Sequence, residues 1–132
     1  MNCLLDTHTL LWMLVTPLKL SRKVTEILSS GNSIKYVSIV SLWEISLKYR
    51  IGKLKIVGKR PDEIPTALQK LDINILNLDT VIASTFYKIP ENINKDPFDL
   101  MLAWQTIKGN FILLSKDKGF DDYQSAGLNR IW

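Results

Sequence analysis

The chain is poor in the residues that bind soft metals. Its 132 residues include one cysteine, Cys3, and one histidine, His8, so no intramolecular disulfide forms and a cysteine-based zinc site has no second thiolate. Long apolar runs are missing as well. Nowhere do about 18 uncharged apolar residues follow one another, and no basic segment leads into a signal-type apolar stretch, so a soluble, cytoplasmic protein without membrane contact is expected. There is no internal repeat and no low-complexity tract. A composition of 46% hydrophobic and 23% charged residues argues against intrinsic disorder and against solenoid or collagen-like architectures. A chain of this length fits one domain, 1–132, and a globule of that size buries roughly two-thirds of the surface that its unfolded form exposes.

What is present is a set of short apolar runs: "NCLLD", "IKYVS", "NILNL", "FILLS" and "NRIW". They are too brief for helices and mostly do not alternate, which predicts buried strands, with Cys3 a small buried hydrophobe in the first of them. Between them helical spacing covers 9–15, 21–29, 40–51, 61–71, 79–87 and 97–108. Strands alternating with helices predict an α/β fold, a three-layer α/β/α sandwich around a mainly parallel sheet. "SSGNS" and Gly109–Asn110 punctuate helix ends, while "GKRPDEIP" and "YKIPENINKDP" are proline-paired loops too short to separate domains.

Four acids are placed oddly against this pattern. Asp6 ends the first strand and Asp117 follows the strand "FILLS", so a parallel sheet brings both to one edge, where open α/β sheets hold their ligands. Glu44 shares a helical stripe with Val40, Leu47 and Ile51 and so faces apolar neighbours. Asp99 lies in the first turn of the helix that "DPFD" begins. Each has a structural alternative. Ser41 to Glu44 has capping-box spacing, although Ser38 is the better N-cap; Asp96 reads mainly as the N-cap of the "DPFD" helix with Pro97 at its first position; Asp6 and Asp117 are potential strand-end caps.

Taken together, the acids point beyond capping. Two carboxylates about 5 Å apart repel by roughly 3 kcal/mol at an effective dielectric near 20, a large strain for a domain stable by about 5–15 kcal/mol. A divalent cation removes that strain, and hard oxygen ligands without thiolates select Mg²⁺ or Mn²⁺ over zinc. Such a cluster suits phosphoryl chemistry. The net charge of +4, from 17 basic and 13 acidic residues, supplies complementary groups. Lys48 to Arg60 holds six Lys or Arg and no acid, among them Lys48, Arg50 and Lys53, and Lys116 and Lys118 flank Asp117. These are candidates for gripping a phosphate backbone, or are simply solvated surface charges.

"LLDTHTLLW", "VSIVSLWEISLK", "DPFDLMLAWQ" and "LLSKD" resemble, in order and spacing, the four motifs of PIN-domain ribonucleases, most closely the VapC-type toxins of bacterial toxin–antitoxin operons. The resemblance spans nearly the whole chain. It implies that Asp6, Glu44 and Asp99 bind the metal, that Asp117 completes the acidic pocket, and that Asp96 stands behind the ligands. It further implies that Ser115 binds water or phosphate, that RNA cleavage leaves a 5′-phosphate and a 3′-hydroxyl, and that the partners are a small inhibitory antitoxin and a second copy of the chain, with Trp12, Leu18 and Leu20 as candidate interface residues. The histidine that relatives often carry shortly before "DPFD" is replaced here by "NINK".

Other assignments compete. A phosphatase with an aspartyl nucleophile wants an acid where His8 stands, and a phospho-receiver wants an acidic pair and a lysine that the chain does not supply cleanly. His8 is placed in the first helical turn at the rim of the pocket, and Trp12, Trp43 and Trp104 read as packing or interface residues more readily than as base-stacking ones. A catalytically silent PIN-fold module that binds RNA or a protein remains the alternative to a metal-dependent endoribonuclease.

Overall fold

The first strand, β1 (Asn2–Leu5), is apolar on both faces because it lies in the middle of the sheet. In the computed structural model, which describes residues 1–91 and 96–132, Cys3, Leu4 and Leu5 have no exposed surface. Burial pushes the Cys3 thiol above its ordinary range, against smaller opposing effects of the N-terminal and Lys35 charges, so it is packed as a hydrophobe. β2 (Ile34–Ser38), β3 (Asn74–Leu76), β4 (Ile112–Leu114) and β5 (Asn129–Ile131) complete a five-stranded sheet in the order β3-β2-β1-β4-β5. Every described pairing is parallel, with Leu5 in register with both Val37 and Leu114.

Parallel pairing requires crossovers, and helices supply them. α1 (Thr7–Val15), α2 (Arg22–Ser29), α3 (Ile39–Arg50) and α4 (Ile64–Lys70) lie between the first three strands. Leu10, Val24, Ile45, Ile64 and Leu68 from these helices form one core with Cys3, Leu5, Val37 and Leu114. On the opposite face Leu4 and Leu113 pack with Leu102 and Ala103 of α6 (Pro97–Gly109) and with Phe120 and Tyr123. Successive residues of one strand point to opposite faces, so Leu4 and Leu5 serve different cores. The result is the predicted three-layer sandwich.

Local signals set most boundaries. Ser21 accepts from the Val24 amide at 3.1 Å and Ser38 from the Val40 amide at 3.0 Å. Asp79 likewise caps α5 (Thr80–Thr85), accepting from the Ile82 amide at 2.7 Å. Such caps contribute roughly 1 kcal/mol each. α6 stops at Asn110, whose φ of 55° is tolerated there because asparagine enters the left-handed region more readily than most residues.

Two expected helices are shorter than their periodicity suggests. The segment 61–71 begins with a 3₁₀ turn over Pro61–Glu63 before α4, and 79–87 ends in another over Phe86–Lys88. In the first case Pro61 and Pro65 each lack an amide donor, so each sits where a helical segment starts. A 3₁₀ helix over Lys118–Ala126 has no counterpart in the sequence-based reading. The loop expected at 87–97 falls partly, and the "NINK" departure wholly, outside the described residues. No helix among the described residues is long and apolar enough to cross a membrane.

Candidate active site

The carboxyl ends of β1, β2 and β4 lie level, and β1 separates the two halves of the sheet. This is the switch point at which an open parallel sheet leaves a crevice. Asp6 leaves β1 there and becomes the N-cap of α1: Oδ1 accepts from the Thr9 amide at 2.7 Å, and Oδ2 accepts from the Ser115 hydroxyl. The Thr9 hydroxyl donates to the Leu114 carbonyl at 2.9 Å, fixing the start of α1 against β4. Asp6 is 5% exposed, and both hydrogen-bond partners of its carboxylate are neutral.

Glu44 reaches the same edge from α3 and is 3% exposed. Ser38 caps that helix, as predicted, so Glu44 lies in its interior and is no part of a capping box. Thr7, the residue after Asp6, donates through its hydroxyl to Glu44 Oε1 at 2.5 Å and also lies 3.1 Å from the Ser41 hydroxyl. The second oxygen, Oε2, is held by the Lys48 ammonium one turn further along α3. Burial pulls the Lys48 pKa down, but the Glu44 hydrogen bond and charge, with the charges of Asp96 and Asp99, act oppositely, and the balance is upward.

The two acids of the start of α6 thus act on the same lysine by charge. Asp96 caps α6, accepting from the Asp99 amide at 2.8 Å, which leaves Asp99 half-buried in the first turn. The Ser38 hydroxyl donates to Gln105 Oε1 at 2.6 Å, and the Trp43 and Phe98 rings meet edge-on at 5.2 Å, so α3 and its cap are joined to α6 at two places.

Asp117 lies at the rim. It is exposed and caps the 3₁₀ helix, accepting from the Gly119 amide at 2.8 Å. The Ser115 hydroxyl, fully buried, accepts from the Asp117 amide at 3.0 Å while donating to Asp6. It therefore orients two acids and is not turned to solvent. Arg130 of β5 braces this turn through a 3.0 Å bond to the Ser115 carbonyl, and its other nitrogens grip Asp121 at 2.8 and 2.9 Å.

The Arg130 hydrogen bond holds the Asp121 carboxyl below its ordinary value of 3.8. A depressed carboxylate stabilises the fold above that value and ceases to do so as pH falls through the folded pKa. The Asp121 side chain is 49% exposed, so solvent screening limits the pair to about 1 kcal/mol or less. Asp121→Asn is expected to lower urea stability by that amount at pH 7 and by less once the pH is below 3.8. An equal deficit at both values would show that the pair acts through packing instead.

The remaining candidates divide clearly. Arg50, Lys53, Lys116 and Lys118 are exposed on the surface, whereas Lys48 is committed to Glu44. His8 lies in the first turn of α1 and is exposed, its ring 5.8 Å from that of Trp12. Trp104 is buried, but Trp43 is 64% exposed and lines an apolar groove of about 350 Å³ with Phe98 and Met101. Thr7 and Arg130 were not singled out by sequence, and Ser41 only as a possible cap for Glu44. Of the first two, only Thr7 carried a signal, its position directly after Asp6.

Among the described residues, no three acidic, histidine or cysteine side chains form a group ready to hold a metal ion. The donors nevertheless fit a hard divalent cation in kind. They are carboxylate and hydroxyl oxygens, and two of the carboxylates are buried, Asp6 at the end of β1 and Glu44 within α3, linked through Thr7.

A family model described as the PIN domain matches residues 3–125. The chain belongs to the PIN-domain family. No curated protein matches it. Solved structures similar to this PIN domain include VapBC2 from Rickettsia felis bound to a DNA fragment from its promoter, with a TM-score of 0.66 and 15% identity over 99% of this chain and 98% of that one. VapBC-1 from nontypeable Haemophilus influenzae gives 0.64 and 19% over 99% and 97%. FitAcB from Neisseria gonorrhoeae gives 0.61 and 19% over 98% and 96%. At such identities the likeness establishes the fold alone.

Proposed function

We propose that this PIN domain is a metal-dependent endoribonuclease, the VapC-type toxin of a toxin–antitoxin pair. The observation that carries the proposal is the pair of buried carboxylates, Asp6 and Glu44, at the switch point, with Asp99 in the first turn of α6 and Asp117 exposed after β4. A purely structural role gives no reason to gather several like charges where a PIN fold opens to ligands.

Asp6, Glu44 and Asp99 are the residues that hold Mg²⁺ or Mn²⁺, with Asp117 completing the set. A divalent cation bound there lowers the pKa of a water and offsets charge building on the scissile phosphate. The chain's own groups supply position. Thr7 and Ser115 fix the Glu44 and Asp6 carboxylates, so little reorganisation is needed when substrate arrives. Asp117, at the exposed rim, orients the attacking water. The exposed Lys116 and Lys118 hold backbone phosphates nearby, with Arg50 and Lys53 extending the grip. Attack breaks the P–O3′ bond, leaving a 5′-phosphate and a 3′-hydroxyl, and requires no covalent intermediate.

The toxin assignment carries a small antitoxin as partner and a homodimer as the assembly. Leu18, fully exposed after α1, offers apolar surface for such contacts, with the half-buried Trp12 nearby in sequence. A silent module that binds RNA or protein is the competing reading, and the Lys48 ammonium on Glu44 is the observation on its side. Mapping RNA ends on total cellular RNA after brief expression separates the two. Discrete new ends bearing 5′-phosphates support the nuclease, whereas intact RNA recovered bound to the protein supports the module.

A further inference from the structure

The metal-binding proposal leaves a physical difficulty at Glu44. Both oxygens of this buried carboxylate are already engaged, Oε1 by the Thr7 hydroxyl and Oε2 by the Lys48 ammonium. A cation ligated by Oε2 would stand against a like-charged group whose stem belongs to the same helix. The ammonium and a divalent ion repel at such a separation, so the two do not share the oxygen.

We propose that Lys48 is a tethered counter-ion of the acidic site, which neutralises Glu44 in the metal-free protein and must leave Oε2 when a divalent cation is bound there. The proposal rests on the metal-dependent reading above. Its geometric support is the i, i+4 placement of Lys48 after Glu44, which lets the ammonium return to the carboxylate without moving the backbone. Its side chain is 35% exposed, so a path to water is open when the ammonium is displaced. Asp96 and Asp99 also act on the Lys48 charge, so one cation compensates acids from two helices. The chain thereby folds without metal, and the same contact weakens metal binding. Lys48 is a positioning residue acting through Glu44 and is not primarily a contact for RNA.

Competition gives two effects of opposite sign, which a merely structural lysine does not. In EDTA, Lys48→Met is expected to melt at a lower temperature than the parent chain, because Glu44 loses its counter-ion. Titrated with Mn²⁺ in a calorimeter, the same variant is expected to bind at least about tenfold more tightly, and its melting temperature should rise further on Mn²⁺ addition. Lys48→Arg, which keeps the charge, should restore the parent behaviour in both. If Lys48→Met does not fold in EDTA, Lys48→Gln keeps a neutral donor to Oε2 and is expected to show the same gain in Mn²⁺ affinity. Parent protein that binds Mn²⁺ alongside charge-neutral variants that bind it no more tightly overturns the counter-ion proposal alone. Parent and variants that all show no Mn²⁺ binding overturn the metal-dependent reading, and the counter-ion proposal with it.

Discussion

Asp6→Asn is expected to reduce RNA cleavage by at least about 10²–10³-fold while leaving the fold intact. Metal assistance at a phosphodiester contributes several kcal/mol to the transition state, and each 1.36 kcal/mol is a factor of about ten in rate. Removing one buried ligand charge therefore costs roughly 3–4 kcal/mol of barrier lowering. The amide retains an oxygen to accept from the Thr9 amide, now at 2.7 Å from Oδ1. Asparagine is as good an N-cap as aspartate, so melting should change little. Asp6→Ala is the instructive contrast. It loses the cap as well, at a cost of roughly 1 kcal/mol, whereas both variants remove the carboxylate oxygen that accepts from Ser115, the asparagine offering an amide NH2 that donates to that hydroxyl instead. Circular dichroism melts and single-turnover cleavage separate the two effects. Full activity in Asp6→Asn, or unfolding of that variant, would show that the carboxylate is there for structure.

Glu44→Ala is expected to affect activity as strongly and stability more. It removes a proposed ligand from the same site, so cleavage should fall by a comparable factor. It also leaves the partly buried Lys48 ammonium without its counter-charge and the Thr7 hydroxyl with Ser41 in place of the carboxylate as its hydrogen-bond partner. Deleting one partner of a buried pair costs more than the pair contributes. The 35% exposure of the lysine side chain lets water recover part of that loss, so about 1–3 kcal/mol is expected in urea denaturation. Glu44→Gln should retain most of this stability through its hydrogen-bonding shape, yet be as inactive as the alanine variant. An active Glu44→Gln would remove Glu44 from the ligand set.

The layout of the sheet was legible in the sequence because its strands are buried on both faces and their apolar runs are continuous. "NCLLD" and "IKYVS" needed no pairing information to be read as strands, and the order of strand and helix implied which ends meet. The 3₁₀ helix over Lys118–Ala126 was not legible, since its buried residues, Phe120 and Tyr123, show neither alternation nor a sustained helical stripe. At the site, Asp6, Glu44, Asp99 and Asp117 stood out as acids in places where burial or strand-end position gives them consequence. What holds them did not stand out. Thr7 meets Glu44 across 37 positions and Ser115 meets Asp6 across 109, so although Ser115 was a candidate by resemblance and Thr7 follows Asp6, nothing local tells which carboxylate each one holds. Lys48 was read as part of a basic surface because its neighbours Arg50 and Lys53 are basic. Its spacing from Glu44 held the other answer.

The most direct measurement is cleavage of a structured RNA by the purified, partner-free chain with Mn²⁺ present and again with excess EDTA, alongside binding of the same RNA in both conditions. Cutting in Mn²⁺, loss of cutting in EDTA and retained RNA binding are the expected result. Equal binding in both conditions with no cutting in either would contradict the assignment of the acidic edge as a nuclease site.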